Sequence, residues 1–328
     1  MLLIRKIALA FCLACLAGVA WAGNTPSNDK NANSPCDSSD AGDCGSSSGM
    51  PIYSFKSMLA GLSLRDTPLG YTPPVGQKMD FIFYYNAREA NQPASFDAVN
   101  LGQKWTSNWI TYIQDNPASP GQQVLRYAAG GGAEPYAGYN ASTGQFTPEE
   151  NDAAVLVRVS ADPITYELRF ADGSKDVFAT SDNKTSYPRK VFLTQQVDAQ
   201  GNAVDLTYDS QLRLTSVTDA IGQSSTFQYD NAAFPLAITS VTDPFGRQTS
   251  LGYDSLGRLA SITDAIGMTS TFTYEGNGTF INSMTTPYGT TTFAQTQGWG
   301  STTELSVACT DSSVVLPQRW VWAKVVVP

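Results

Sequence analysis

Residues 217–230 read VTDAIGQSSTFQYD and residues 262–275 read ITDAIGMTSTFTYE, two stretches that superimpose almost letter for letter. Working outward from them, Gly201, Gly222, Gly246, Gly267 and Gly289 recur at spacings of 21, 24, 21 and 22 residues. Three residues before the first four stand Asp198, Asp219, Asp243 and Asp264, and seven residues after them stand Tyr208, Tyr229, Tyr253 and Tyr274. Each tyrosine is followed by an acid: Asp209, Asp230, Asp254 and Glu275. The fifth copy keeps Pro287-Tyr288-Gly289 but has Thr286 and Thr296 where Asp and Tyr would fall. A register of this length marks an array of repeated supersecondary units.

Each unit reads as a β-hairpin. An apolar/Thr strand such as Leu214–Val217 runs into D-x-x-G, where the Asp side chain closes an Asx-turn and Gly supplies a positive φ. The chain returns through S-T-F-x-Y-D with Phe227 and Tyr229 on one face, and a second turn, Ser255-Leu256-Gly257-Arg258, leads onward. A lone hairpin cannot bury its apolar face, so the copies are expected to pair side by side. Replacing Gly222 by a side-chain-bearing residue is then expected to cost more than replacing Asp219, which reads as losing one turn hydrogen bond. A calcium-binding carboxylate ladder is the competing reading of the aspartates, but the pattern G-G-x-G-x-D is absent. Nothing in the spacing of the acids selects a glycosidase pair.

Upstream, Met79–Tyr85 is an aromatic-rich strand, Ala153–Ser160 a β-branched run, and Thr165–Phe170 alternates with period two before the hairpin signal Asp172-Gly173. No amphipathic helix is legible beyond the leader, and the class is all-β. Trp105, Trp109 and Tyr112 read as core packing against the rival reading of a sugar-stacking platform. Gly130-Gly131-Gly132 lacks the Lys-Ser/Thr of a phosphate loop and reads as a turn.

The 328 residues carry a formal net charge of −9, only 15% charged residues and no histidine. Acidity argues against a phosphate-backbone partner, so no nucleic acid is expected. The missing histidine removes Ser-His-Asp and Cys-His nucleophiles and His-containing zinc sites. Neither an enzyme nor a cofactor is expected. Residues 1–22 read as an export leader: Arg5 and Lys6, an apolar run Ile7–Ala20 too short for the about 20 residues of a membrane span, and Ala20-Trp21-Ala22 as cleavage site. A lipoprotein would need Cys12 or Cys15 at the end of that run, which neither occupies. The product is therefore expected outside the cytoplasm, in the extracellular space or at the cell surface with the periplasm as an alternative, and not as an integral membrane protein. Residues 23–50 are a Ser/Asn/Asp-rich linker in which Cys36 and Cys44 can form a small disulfide loop in an oxidising compartment, the alternative being two free thiols. Cys309 is left over.

The segments TYDSQLRL (207–214), QYDNAAF (228–234), GYDSLGRL (252–259) and TYEGNG (273–278) resemble the YD-repeat, or Rhs, family of exported bacterial proteins. DTPLGYTPPVG (66–76), FYYNAREANQP (83–93) and LGQKWTSNWITYIQD (101–115) resemble the amino-terminal entry to such proteins, so the likeness covers roughly Pro51 to Thr292. The resemblance implies a β-sheet coiling into a strip, which in long members closes as a shell around a carboxy-terminal toxin and is linked to carbohydrate binding and cell contact. Here about five repeats follow, with no effector-like segment and no self-cleavage motif; Asp243-Pro244-Phe245-Gly246 reads as an ordinary repeat turn. The expected organisation is a β-rich amino-terminal cap (51–190), YD repeats (191–300) and an atypical tail (301–328) whose VVLPQRWVWAKVVVP forms a disordered segment or a poorly specified edge strand that promotes self-association. The expected function is non-enzymatic surface interaction or scaffolding with a carbohydrate or cell-surface partner. Its alternatives are the front part of a contact-dependent toxin and, further off, a secreted carbohydrate-active enzyme.

Overall fold

The computed structural model describes residues 50–56, 61–150, 153–297, 303–311 and 325–326; the leader, the linker, Cys36 and Cys44 lie outside them. Among the described residues there is no helix, and the architecture is all-β as expected. Four strands, β1 (Ile52–Lys56), β2 (Gly61–Tyr71), β3 (Met79–Asn86) and β4 (Trp105–Ser107), form a small antiparallel sheet in sequence order. Strict alternation in β3 buries Met79, Phe81, Phe83 and Tyr85 on one face.

Next come β5 (Tyr112–Asp115), β6 (Val124–Tyr127), β7 (Ala133–Tyr136), β8 (Val155–Ala161), β9 (Ile164–Arg169), β10 (Lys175–Ser181) and β11 (Arg189–Val197). These pair into a ring. Phe146 and Thr147 bridge β8 to the chain after β7, and Arg189–Phe192 of β11 closes onto β5. The far half of β11, Gln195–Val197, pairs instead with β12 (Ala203–Tyr208), so the sheet forks there and continues as a strip. No break falls between residues 190 and 191, where the expected cap would end, because β11 belongs to both parts.

The barrel interior is not wholly apolar. Tyr166 donates across the ring to Asp115 Oδ2 at 2.8 Å, and Arg189 Nε reaches Asp115 Oδ1 at 2.8 Å. Arg126 lies 2.9 Å from Glu134 Oε2 and 3.6 Å from Asp176 Oδ2, all three buried. Burial opposes the charge on Arg126, yet the facing Glu134 and Asp176 carboxylates raise its pKa, while burial pushes the Asp176 carboxyl up despite that guanidinium.

The strip adds β13 (Leu214–Thr218), β14 (Ser224–Gln228), β15 (Ser240–Thr242), β16 (Gln248–Tyr253), β17 (Leu259–Thr263), β18 (Thr269–Tyr274), β19 (Ile281–Thr286) and β20 (Gly289–Gln297), each antiparallel to its neighbours. Its inner face presents Val217, Phe227, Leu251, Ile262 and Phe272 to the small sheet. Phe81 meets Phe227 with ring centroids 5.9 Å apart, Trp105 meets Phe272 at 5.0 Å, and Tyr53 meets Phe293 at 5.4 Å. Thus β1–β4 is a filling laid into the concave side of the strip. A one-layer sheet needs a second layer over its apolar face, and this chain supplies it from its own amino-terminal residues. From the tail, β21 (Thr303–Asp311) pairs with β20 along nine positions, and β22 (Val325–Val326) pairs with β21. Residues 312–324 and 327–328 of the tail lie outside the described residues.

Arg126→Met should destabilise the fold by about 3–5 kcal/mol in chemical denaturation, because two buried carboxylates lose their counter-charge. Replacing Arg126, Glu134 and Asp176 together by apolar residues should cost much less; an equal cost would mean that the cation is there for its packing alone.

Candidate interaction surface of the repeat strip

The D-x-x-G turns all lie at one rim of the strip and share one hydrogen-bond scheme. Asp219 Oδ1 accepts from the amides of Ile221 (3.0 Å) and Gln223 (2.8 Å). Asp198, Asp243 and Asp264 do the same two and four residues on. Gly201, Gly246 and Gly267 stand with Gly222 in the same left-handed state, and at Gly222 (φ +87°) an added Cβ would meet open space. The second oxygens are engaged too: Asp198 by Asn202 Nδ2, Asp243 by Arg247 Nε, and Asp219 by the Tyr71 hydroxyl of the small sheet at 3.0 Å. These aspartates are turn closures, as the sequence suggested. Among the described residues no group of three or more His, Cys, Asp or Glu is placed to hold a metal ion. Asp243-Pro244-Phe245-Gly246 is one of these ordinary turns.

The opposite rim carries the Y-D turns. Asp209 closes on the amides of Gln211 and Arg213 and on Arg213 Nε; Asp254 closes on Leu256, Arg258 and Arg258 Nε. The guanidinium of Arg213 then lies 5.1 Å from the Tyr229 ring centre, and that of Arg258 lies 4.5 Å from Tyr274. Gly257 (φ +74°) fills the left-handed place in the Asp254 turn, with Phe234 packed against it. Asp230 departs from the scheme: its turn is longer, and its amide is held by Thr239 Oγ1. Gly289 (φ +151°) departs as well, serving a tight turn in which Thr286 replaces the aspartate.

The four repeat tyrosines form a ladder. Tyr208, Tyr229, Tyr253 and Tyr274 donate to the carbonyls of Leu193, Leu214, Ile238 and Leu259 at 2.6–2.9 Å, each fifteen residues back. Three are half-buried and Tyr274 is buried, and burial holds all four phenols above their usual pKa. Tyr274 also accepts from Trp105 Nε1 at 2.9 Å. Trp105, Trp109 and Tyr112 are core, as read from the sequence. Gly132 N donates to Glu89 Oε2 at 2.6 Å, which fixes the triple-glycine segment as a turn.

Residues 208–232, 237–265 and 253–291 match the RHS Repeat family. The strip is built of RHS repeats. No curated protein matches the chain. The first and third matches begin at Tyr208 and Tyr253, so the family unit starts on the rung of the ladder and runs through the Y-D turn, the strand and the D-x-x-G turn. Within these matches the hydroxyls of Tyr208, Tyr229, Tyr253 and Tyr274 and the carboxylates of Asp209, Asp219, Asp243, Asp254 and Asp264 are engaged in hydrogen bonds within the chain. Sequence reasoning missed the contacts that tie the repeats to the filling, namely Tyr71 to Asp219, Trp105 to Tyr274 and Tyr85 to Thr279 O. Each joins residues more than 140 positions apart, with no local signal.

The contacts of Asp219 argue for the opposite ranking of the turn substitutions. Asp219 is 3% exposed and accepts three hydrogen bonds, so Asp219→Ala should cost about 3 kcal/mol or more, against about 1–2 kcal/mol for Gly222→Ala. Thermal melts of the two variants decide the order.

Asp66, 3% exposed on β2 with Oδ1 unpartnered, has its pKa raised to about 7, first by burial and further by Asp264. Its folded value lies above its unfolded value, so stability present near pH 4 falls as pH rises towards 7. Asp66→Asn should flatten the drop in melting temperature between pH 4.5 and 7.5, and an unchanged slope would place the titration elsewhere.

Proposed function

We propose that this RHS-repeat protein is an exported, non-enzymatic interaction module that engages a neutral, polyhydroxylated surface, a glycan, through the convex face of its strip. One observation carries the reading. The eight strands β13–β20 contain no Asp, Glu, Lys or Arg, and apart from Ala294 their described exposed positions are Ser, Thr and Gln, including Ser224, Thr226, Gln228, Ser250, Thr269, Thr271 and Thr273. The charges of this region sit in the turns. A face that offers rows of hydroxyls and no ion suits a partner recognised by neutral hydrogen bonds. The repeat tyrosines take no part in the proposal, since their hydroxyls are spent on the ladder. Export rests on the leader read from the sequence, and the site of action is the extracellular space or cell surface, with the periplasm as an alternative. No described helix is long and apolar enough to cross a membrane.

The toxin-related reading, a shell around an effector, draws less support from this strip, whose concave side already holds β1–β4. A glycan array is expected to return neutral polysaccharides whose binding changes little between low and high salt. Thr226→Lys with Thr271→Lys should abolish it, while Tyr229→Phe should leave it. Salt-sensitive binding, loss of binding with Tyr229→Phe in a stable fold, or an array without hits would overturn the proposal.

A further inference from the structure

Strand β2 meets the D-x-x-G rim of the strip, and successive turns grip successive places along it. Asp219 accepts from the Tyr71 hydroxyl at 3.0 Å, Arg247 of the Asp243 turn donates to Gly70 O at 2.9 Å, and the amide of Ala265 in the Asp264 turn donates to Pro68 O at 3.2 Å. Pro68 stands in a bulge, because the ladder to β3 steps from Asp66–Phe83 to Leu69–Phe81. Asp66 comes just before that bulge, on the buried face of β2 with Leu62 and Leu64, and the charged group acting on it is Asp264.

The three turns differ in what matches the second carboxylate oxygen. At Asp219 it is the Tyr71 hydroxyl, and at Asp243 it is Arg247, whose Nε lies 2.7 Å from Oδ2. Arg247 is the fourth residue after its aspartate, and in the Asp264 turn that place holds Met268, which has no charge. Asp264 Oδ1 accepts from the amides of Ile266 and Met268, and among the described residues its Oδ2 has no partner. What β2 brings to this turn is not a donor but a second acid: Asp66, 3% exposed, with Oδ1 buried and unpartnered. Two buried carboxylates without a donor between them are costly, since a buried charge needs a counter-charge. Ser270, 2% exposed on the inner face of β18 with Phe272, adds a hydroxyl to the same unit.

We propose that Asp66 and Asp264 bind a calcium ion, which ties the strip to the small sheet at the third turn as Arg247 does at the second. Two carboxylates and a hydroxyl, completed by water from the rim, are a hard, all-oxygen set. Burial of Asp66 favours Ca²⁺ over Mg²⁺, which gives up its own water reluctantly. So few protein ligands make a weak site, with Kd of about 10⁻⁴–10⁻³ M, the range of extracellular modules. The site lies in the seam and is independent of the convex face proposed for glycans. Thermal melts of the full chain, stripped of metal and held at pH 8, should rise by several degrees with millimolar CaCl₂ but not with NaCl of equal ionic strength. Asp66→Asn, which keeps the shape of the side chain, should abolish the rise. Met268→Arg, which gives the Asp264 turn the counterpart of Arg247, should raise the calcium-free melting temperature and remove the response. A wild-type chain indifferent to CaCl₂ would overturn the proposal, and so would a calcium response that survives Asp66→Asn.

Discussion

The covering of one apolar face governs this molecule. A strip of hairpins one layer thick exposes Val217, Phe227, Leu251, Ile262 and Phe272 on a single side, and no hairpin can shield its own. The barrel solves the problem for β5–β11 by closing on itself, which gives every inward side chain a neighbour across the ring. The strip does not close, so it needs something laid into its curve. The small sheet β1–β4 meets that need with Phe81, Phe83, Tyr85 and Trp105. Every later feature, from the Tyr71–Asp219 bond to the raised pKa of Asp66, belongs to the seam between filling and strip.

That seam explains why the repeats are so regular in their turns and less so elsewhere. Turn chemistry is local: an aspartate, two amides and a glycine give the same geometry wherever they recur. The tyrosine rung is nearly local, since a donor reaching fifteen residues back needs only that the next hairpin pair in register. The inner side chains answer to the filling, which is not repetitive, so Val217, Phe227, Leu251 and Ile262 differ in size according to what faces them.

The same division decides what was legible in the sequence. The class, the hairpins, the capping role of Asp198, Asp219, Asp243 and Asp264, and the core placement of Trp105 and Trp109 follow from spacing and period, which are local signals. The barrel was invisible, because its closure joins β5 to β11 across some 75 residues and places Arg126, Glu134 and Asp176 in an interior that no local pattern announces. What the amino-terminal strands pack against is non-local in the same way. Alternation in Met79–Tyr85 says that one face is buried but not against what. The expected rank of Asp219 below Gly222 leaves out a single distant hydroxyl, Tyr71.

Leu212 shows how far a repeat can bend when tertiary packing compensates. In the Asp254 turn the left-handed place belongs to Gly257, but in the Asp209 turn it belongs to Leu212, whose φ is +58°. A side chain there costs of order 1 kcal/mol, and strain of this kind persists only where the surroundings fix it. The surroundings do so here. Leu212 packs on the outer cluster of Ala98, Tyr112, Tyr127 and Phe192, and its carbonyl accepts from the amide of Val99 at 3.1 Å. This is the junction of barrel and strip, where the first Y-D turn is held by the barrel's outer face and the 98–100 segment. The turn gives up its glycine and gains an anchor, so a tertiary contact holds there the conformation that Gly257 adopts freely in the Asp254 turn.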